Sequence, residues 1–184
     1  LSKEEEYEDI LIRKEVAEEN VDENTLLVVV DTHKTNYVED PDLLKKTDKI
    51  VIIDHHRRSA DFIENATLTF QEVYASSAAE LVTEILQYAN VKVNLRKIEA
   101  ESLYAGIMMD TKNFTFKTGV RTFEAAAYLR KCGVDILRVK KWFQSDLASF
   151  NKIAEIVRKA EIVNDSIAIA SYNRKTKDAS LICA

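Results

Sequence analysis

Glycine and proline are almost missing: three glycines and one proline occur among 184 residues, where roughly 12% of a chain is usual. Collagen-like, low-complexity and turn-rich all-β chains are excluded by that shortage. It also removes two phosphate-binding loops, because neither G-x-x-x-x-G-K-[ST] nor G-x-G-x-x-G can be assembled from Gly106, Gly119 and Gly133. Cysteine is scarce as well. Cys132 and Cys183 are far apart with no C-x-x-C spacing, so a reduced, cytosolic setting with both thiols as filler is the simplest expectation. No apolar run approaches the 18 residues of a membrane span. Nor is there a charged-then-apolar leader. The chain starts at Leu1 rather than Met, which predicts a piece of a longer protein with no direct membrane contact of its own. Positive charge is in deficit: 26 Lys+Arg against 31 Asp+Glu leave a net charge of −5. This argues against a duplex-DNA surface, which needs a basic stripe.

What is present is a sequence of apolar runs, each stopped by an acid. Leu26–Val30 reads as a strand buried on both faces and ends at Asp31; Lys49–Ile53 is a second and ends at Asp54. Between them Asp40-Pro41 supplies an N-cap and a first-turn proline for a short helix. Strand, helix and strand predict a parallel βαβ unit with both carboxyl ends on one edge. Ser77-Ala78-Ala79-Glu80 predicts a capped helix to about Tyr88, with Leu81, Val82, Ile85 and Leu86 on its buried face. Ile98–Met109 is apolar almost all round and ends at Asp110. Helices follow over about 122–131, stopped by Gly133, then 136–144 and 148–159. Ser166–Ala170 alternates as a strand does, and Ser180–Ala184 opens another apolar run. Acidic Glu4, Glu5, Glu6, Glu8 and Asp9 predict a solvated helix or linker at the start. The fold class expected is α/β, a parallel sheet flanked by helices, with the beginning of a second small α/β domain. The domains expected are 1–147, a connecting helix over 148–161, and 162–184 as the opening of the second domain.

All three histidines follow strand ends: His33 after Asp31-Thr32, and His55-His56 after Asp54. Ligands of open parallel sheets gather outside the carboxyl ends of the strands, so Asp31 and His55 should converge there. Carboxylate and imidazole donors without thiolate suit Mn²⁺ or Mg²⁺, or zinc or iron in a mixed nitrogen and oxygen shell. Two such ions could clamp a phosphoryl centre. Asp110 closes a helix, where the negative end of the macrodipole opposes it unless a cation, or Lys112, lies nearby. Taken singly, a strand-end Asp is more often a turn or cap residue than a ligand. Ser76 and Ser77 are better read as caps, and Arg57 serves a phosphate or a surface ion pair equally well.

Val-Ile-Ile-Asp54-His55-His56, with Val-Val-Val-Asp31-Thr32 before it and Gly106-Ile-Met-Met-Asp110-Thr111 after it, resembles the signature of the DHH phosphoesterase superfamily. The stretches Asp31-Thr32-His33-Lys34, Asp54-His55-His56-Arg57-Arg58, Tyr74-Ala75-Ser76-Ser77, Ala79-Glu80-Leu81-Val82-Thr83-Glu84 and Thr118-Gly119-Val120-Arg121-Thr122-Phe123 are similar to the GdpP-type cyclic-di-AMP phosphodiesterases. The resemblance runs from about residue 22 to the C-terminus. It implies a two-ion site, usually Mn²⁺ though Mg²⁺ or another divalent ion would serve. Asp31, His55 and Asp110 are implied as ligands, with His56 and Arg57 toward the substrate phosphate and Asp54 orienting a histidine. It further implies hydrolysis of cyclic di-AMP to linear pApA, a cytoplasmic domain in a membrane-anchored parent, and leaves a homodimer open.

The superfamily's His-x-x-x-Asp-x-Asp and Gly-Gly-Gly-His patterns do not occur in this sequence. The chain is therefore expected to be an incomplete part that binds metal weakly and is inactive by itself. The competing activities are nanoRNA oligoribonuclease or pAp phosphatase, and family II inorganic pyrophosphatase. A non-catalytic nucleotide-binding or dimerisation module is the alternative of another class.

Overall fold

The computed structural model describes residues 10–91, 93–144 and 146–173. The acidic cluster at residues 4–9, Cys183 and the apolar run at 180–184 lie outside them. Two compact units divide the chain between Trp142 and Phe143.

The first unit opens with α1 (Lys14–Asn20) and is built on three strands: β1 (Leu27–Val30), β2 (Ile50–Asp54) and β3 (Leu68–Gln71). They run parallel in the order β1-β2-β3, with Val30 opposite Ile53 and Asp54 opposite Gln71. The expected βαβ unit is present, although its connection is made of two 3₁₀ turns, Thr35–Tyr37 and Pro41–Lys45. Asp40 caps the second, its carboxylate accepting from the Asp42 N–H at 3.2 Å. β2 is central, so Ile50, Ile52, Ile53 and Asp54 are all buried. β1 departs from the expectation of two buried faces: Val29 is in the core, but Val28 and Val30 are about half exposed. β1 is an edge strand with only one face covered by the described residues. A run of valines shows that a strand is apolar, not how many layers flank it.

Helices α2 (Ala78–Tyr88), α3 (Lys97–Asp110), α4 (Val120–Lys131) and α5 (Ile136–Trp142) form the second layer. Leu81 of α2 packs with Ile53 and Ala75 against the sheet. Ala105, Ile107, Ala125, Leu129 and Val139 make the helical core. The Ser77 hydroxyl accepts from the Glu80 N–H at 3.0 Å, as a cap should. The Glu80 carboxylate reaches one residue further back than the capping box requires, taking the N–H and hydroxyl of Ser76 at 3.2 and 2.5 Å. Glu80 is buried, whereas Ile85, expected inside, is at the surface. Gly106 allows α2 and α3 to cross closely, since a Cβ there would lie 2.8 Å from the Ala79 Cβ. Gly133 ends α4 with φ +98°. Met109 is exposed, so α3 is not buried all round.

The second unit holds α6 (Leu147–Arg158) and an antiparallel pair, β4 (Glu161–Val163) and β5 (Ile167–Ile169). Asp146 caps α6 by accepting from the Ser149 N–H at 2.7 Å. Asn164 and Asp165 turn the hairpin with φ of 52° and 57°, a task glycine more often performs. Sequence periodicity finds β5 but not its partner, because this turn has no glycine to announce it. No helix of the described residues is long and apolar enough to cross a membrane.

Candidate metal centre

Parallel pairing of β1 with β2 brings the residues just beyond them to one edge of the sheet. Asp31 is tied there by its N–H, which donates to the Ile53 carbonyl at 2.9 Å. Its φ of 64° lies in the left-handed region, which Asp tolerates better than most side chains. α3 delivers Asp110 to the same place as its last residue. His55 lies between the two acids: its Nε2 is 3.3 Å from Asp31 Oδ1 and 3.7 Å from Asp110 Oδ2. His56 joins them, with ligand atoms of Asp31, His55 and His56 all within 4.8 Å of one another. Four side chains from three elements thus converge, and their donors are all oxygen or nitrogen.

Asp54 is engaged differently. It is fully buried, and its Oδ2 accepts from His33 Nδ1 at 2.5 Å while Oδ1 accepts from His56 Nδ1 at 2.8 Å and from the His56 N–H at 3.2 Å. The tautomer of His33 follows from its other nitrogen: Nε2 accepts the Ser59 N–H at 3.1 Å, so the proton sits on Nδ1. The same logic, with Asp54 as an acceptor, puts the His56 proton on Nδ1 and leaves Nε2 for the cavity. The Gln71 amide donates to the His56 carbonyl at 2.7 Å and holds the loop from below. Burial opposes ionisation of Asp54, but the hydrogen bonds from His33 and His56 outweigh it and hold the carboxyl below its usual range.

Asp110 is shifted the other way. Burial first, then the neighbouring Asp31 charge, raise its pKa, opposed by His55, His56 and Lys117. Lys117 is the lysine that opposes this shift, while Lys112 lines the same cavity with its ammonium 5.7 Å from the centroid of the Phe116 ring. A divalent cation between the two carboxylates would reverse the unfavourable term at Asp110, and the mixed oxygen and nitrogen donor set fits a hard ion. Only Asp54 among the three acids is buried; Asp31 keeps 57% of its side-chain surface and Asp110 34%.

Asp31, Asp110, His55 and His56 share a cavity of about 320 Å³ with Ser76 and Lys117. Arg57 is exposed and lines a neighbouring one of about 360 Å³ with His33, Asp54 and His56; among the described residues it makes no ion pair. Sequence reasoning brought His33 to the sheet edge without giving it a role, and passed over Ser59, Gln71 and Lys117. His33 could have been found from its place two residues past Asp31. The other three carry no such signal, since their partners are set by loop paths.

A family model described as "DHH family, N-terminal domain" matches residues 3–107. The chain is 42% identical to cyclic-di-AMP phosphodiesterase PdeA of Listeria monocytogenes over 183 residues, covering 98% of this chain and 28% of the relative. It is 48% identical to the GdpP enzyme of Geobacillus thermodenitrificans over 159 residues, or 86% of this chain and 24% of the relative. With Bacillus subtilis GdpP the identity is 45% over 168 residues, 90% of this chain and 26% of the relative. The chain spans about a quarter of the length of these curated relatives. The crystal structure of an exopolyphosphatase-related protein from Bacteroides fragilis superposes with a TM-score of 0.73 at 18% identity, over 86% of this chain and 46% of that one, a likeness of fold alone.

Proposed function

The chain belongs to the DHH family, and from that premise we propose that it supplies part of the active site of a divalent-metal phosphodiesterase that opens cyclic di-AMP to linear pApA. The observation that carries the reading is the convergence of Asp31, His55 and Asp110 from the ends of β1, β2 and α3. The names of the relatives supply the substrate. Asp31, His55 and Asp110 would hold the ion, for which Mn²⁺ is our choice within the hard, oxygen-preferring class. Such an ion supplies positive charge to the oxygens of a phosphodiester.

The chain's own side chains do the rest. His56 presents Nε2 to the cavity, and when protonated it donates to a phosphate oxygen while Asp54 balances its charge across 2.8 Å. Asp54 keeps that ring in one orientation, because its two oxygens are pinned by His33 and His56 together. Arg57, exposed beside His56, adds a second cationic donor for the phosphate.

Two measurements test this. Calorimetric titration of Mn²⁺ into the chain should show binding that Asp31→Asn, His55→Ala or Asp110→Asn each weaken at least about tenfold. Exchanging this segment into Bacillus subtilis GdpP should yield an enzyme that converts cyclic di-AMP to pApA, with each of those substitutions costing about 100-fold or more. Full activity in the Asp31→Asn or Asp110→Asn exchange would overturn the assignment. Cleavage of pyrophosphate in place of cyclic di-AMP would shift it to the pyrophosphatase branch.

A further inference from the structure

Beside the metal centre, and sharing His55, His56 and Lys117 with it, lies a larger groove of about 950 Å³. Its charged side chains are all of one sign. Arg57, Arg58 and Lys117 line it together with Tyr74 and Gly119, and no carboxylate does, although the chain as a whole carries −5. The metal-centre cavity thus mixes Asp31 and Asp110 with Lys112 and Lys117, whereas the groove next door has cations alone; His55, His56 and Lys117 are shared between both spaces.

Tyr74 is the unusual member. It is among the most exposed of the large apolar residues, at 90%, yet its backbone is hydrogen-bonded in place. The Tyr74 N–H donates to the Glu72 carboxylate at 3.1 Å and the Ala75 N–H to the Glu72 carbonyl at 3.2 Å, while the Glu72 N–H donates to the Asp54 carbonyl at 3.0 Å. The next residues, Ala75, Ser76 and Ser77, are buried. An aromatic ring is thus presented to solvent on a loop fixed to the end of β2. Single exposed aromatics are ordinary. One that stands over a cation-lined groove adjoining a phosphate site is what a nucleotide needs: a flat apolar face for the base and positive charge for its phosphate. The volume lies within the range of small-molecule sites.

We propose that this groove is a nucleoside subsite, in which Tyr74 stacks on a purine base while Arg57 and Lys117 face its phosphate. The proposal rests on the phosphodiesterase reading and says where one of the two nucleosides of the substrate lies. Tyr74 is then a determinant of specificity for nucleotides over other phosphates, and not a ligand of the metal.

AMP and ribose 5-phosphate carry the same phosphate and differ by the base, so the pair isolates the stacking contact. Both are titrated into the full chain, with and without Mn²⁺, and followed by NMR. AMP should bind about tenfold more tightly than ribose 5-phosphate, in line with the worth of one base on one aromatic ring. Tyr74→Ala should erase that advantage, Tyr74→Phe and Tyr74→Trp should keep it, and Mn²⁺ affinity should change by less than about twofold in all three, since the ring is at the surface. Equal affinities for the two ligands, no binding of either at millimolar concentration, or an advantage that survives Tyr74→Ala would each overturn the subsite. Loss of Mn²⁺ binding in the wild-type chain would instead strike the metal assignment, and the comparison made without metal would still decide the subsite.

Discussion

Two acids close buried apolar runs in this chain, and their surroundings differ in a way that separates two kinds of work. Asp54, at the end of β2, meets only donors: two imidazole N–H groups and a backbone N–H. Asp110, at the end of α3, meets the carbonyl end of its own helix and a second carboxylate, Asp31. One carboxyl is held below its usual pKa and the other above it. A carboxylate whose lone pairs are taken by fixed donors orients its neighbours. A carboxylate facing another acid is a place for a cation.

The contrast can be broken at either end. Asp54→Ala removes a buried acceptor from two histidines and should cost about 3 kcal/mol in urea unfolding, the range for breaking a buried charged network. A loss below about 1 kcal/mol would mean that His33 and His56 find other partners. Next in size, Mn²⁺ at a hundredfold excess over its dissociation constant should stabilise the wild-type chain by about 2.7 kcal/mol. The same addition should do little for Asp110→Asn; an equal gain there would remove Asp110 from the ligand set. Without metal, Asp110→Asn should be neutral or stabilising by up to about 1 kcal/mol, because it relieves the repulsion with Asp31.

The smallest effect is on pH dependence. Asp54 has a lowered folded pKa, so its contribution is present above its ordinary value of 3.8 and is lost as the pH falls through the folded one. Asp110 has a raised folded pKa, so its contribution is full below 3.8 and is lost as the pH rises through the folded value. Thermal melts from pH 7 down to 3, without metal, should therefore show the wild type gaining on Asp110→Asn as the acid end is approached. Against Asp54→Asn, the wild type should lose ground only below about pH 3.8. Parallel curves for all three would show that the two environments do not differ.

Much of this was legible in the residues. Each apolar run announced an element, the strand–helix–strand order announced parallel pairing, and the acids at the ends of the runs were bound to share an edge with His55. Ser77, Asp40 and Gly133 marked helix ends because capping is local chemistry, settled within four residues. The misreadings have one cause. Val28 and Val30 on β1, and Ile85 on α2, were expected inside because apolar side chains favour burial; whether a second layer exists to cover them depends on segments far away in sequence. β3 and β4 were too short, and their turns too poor in glycine, to stand out.

By itself, then, the sequence determined the elements, their order and which side chains could ligate a metal, since these follow from periodicity, capping and donor chemistry along the chain. Tertiary structure alone decided how the acids were divided. Asp31 and Asp110 are 79 residues apart, and the residues next to each of the three acids do not fix which groups face its carboxylate. Only the folded sheet edge puts His33 against Asp54 and leaves the other two facing each other across His55, because the pKa and role of a carboxylate are set by whichever groups the fold brings within a few ångströms.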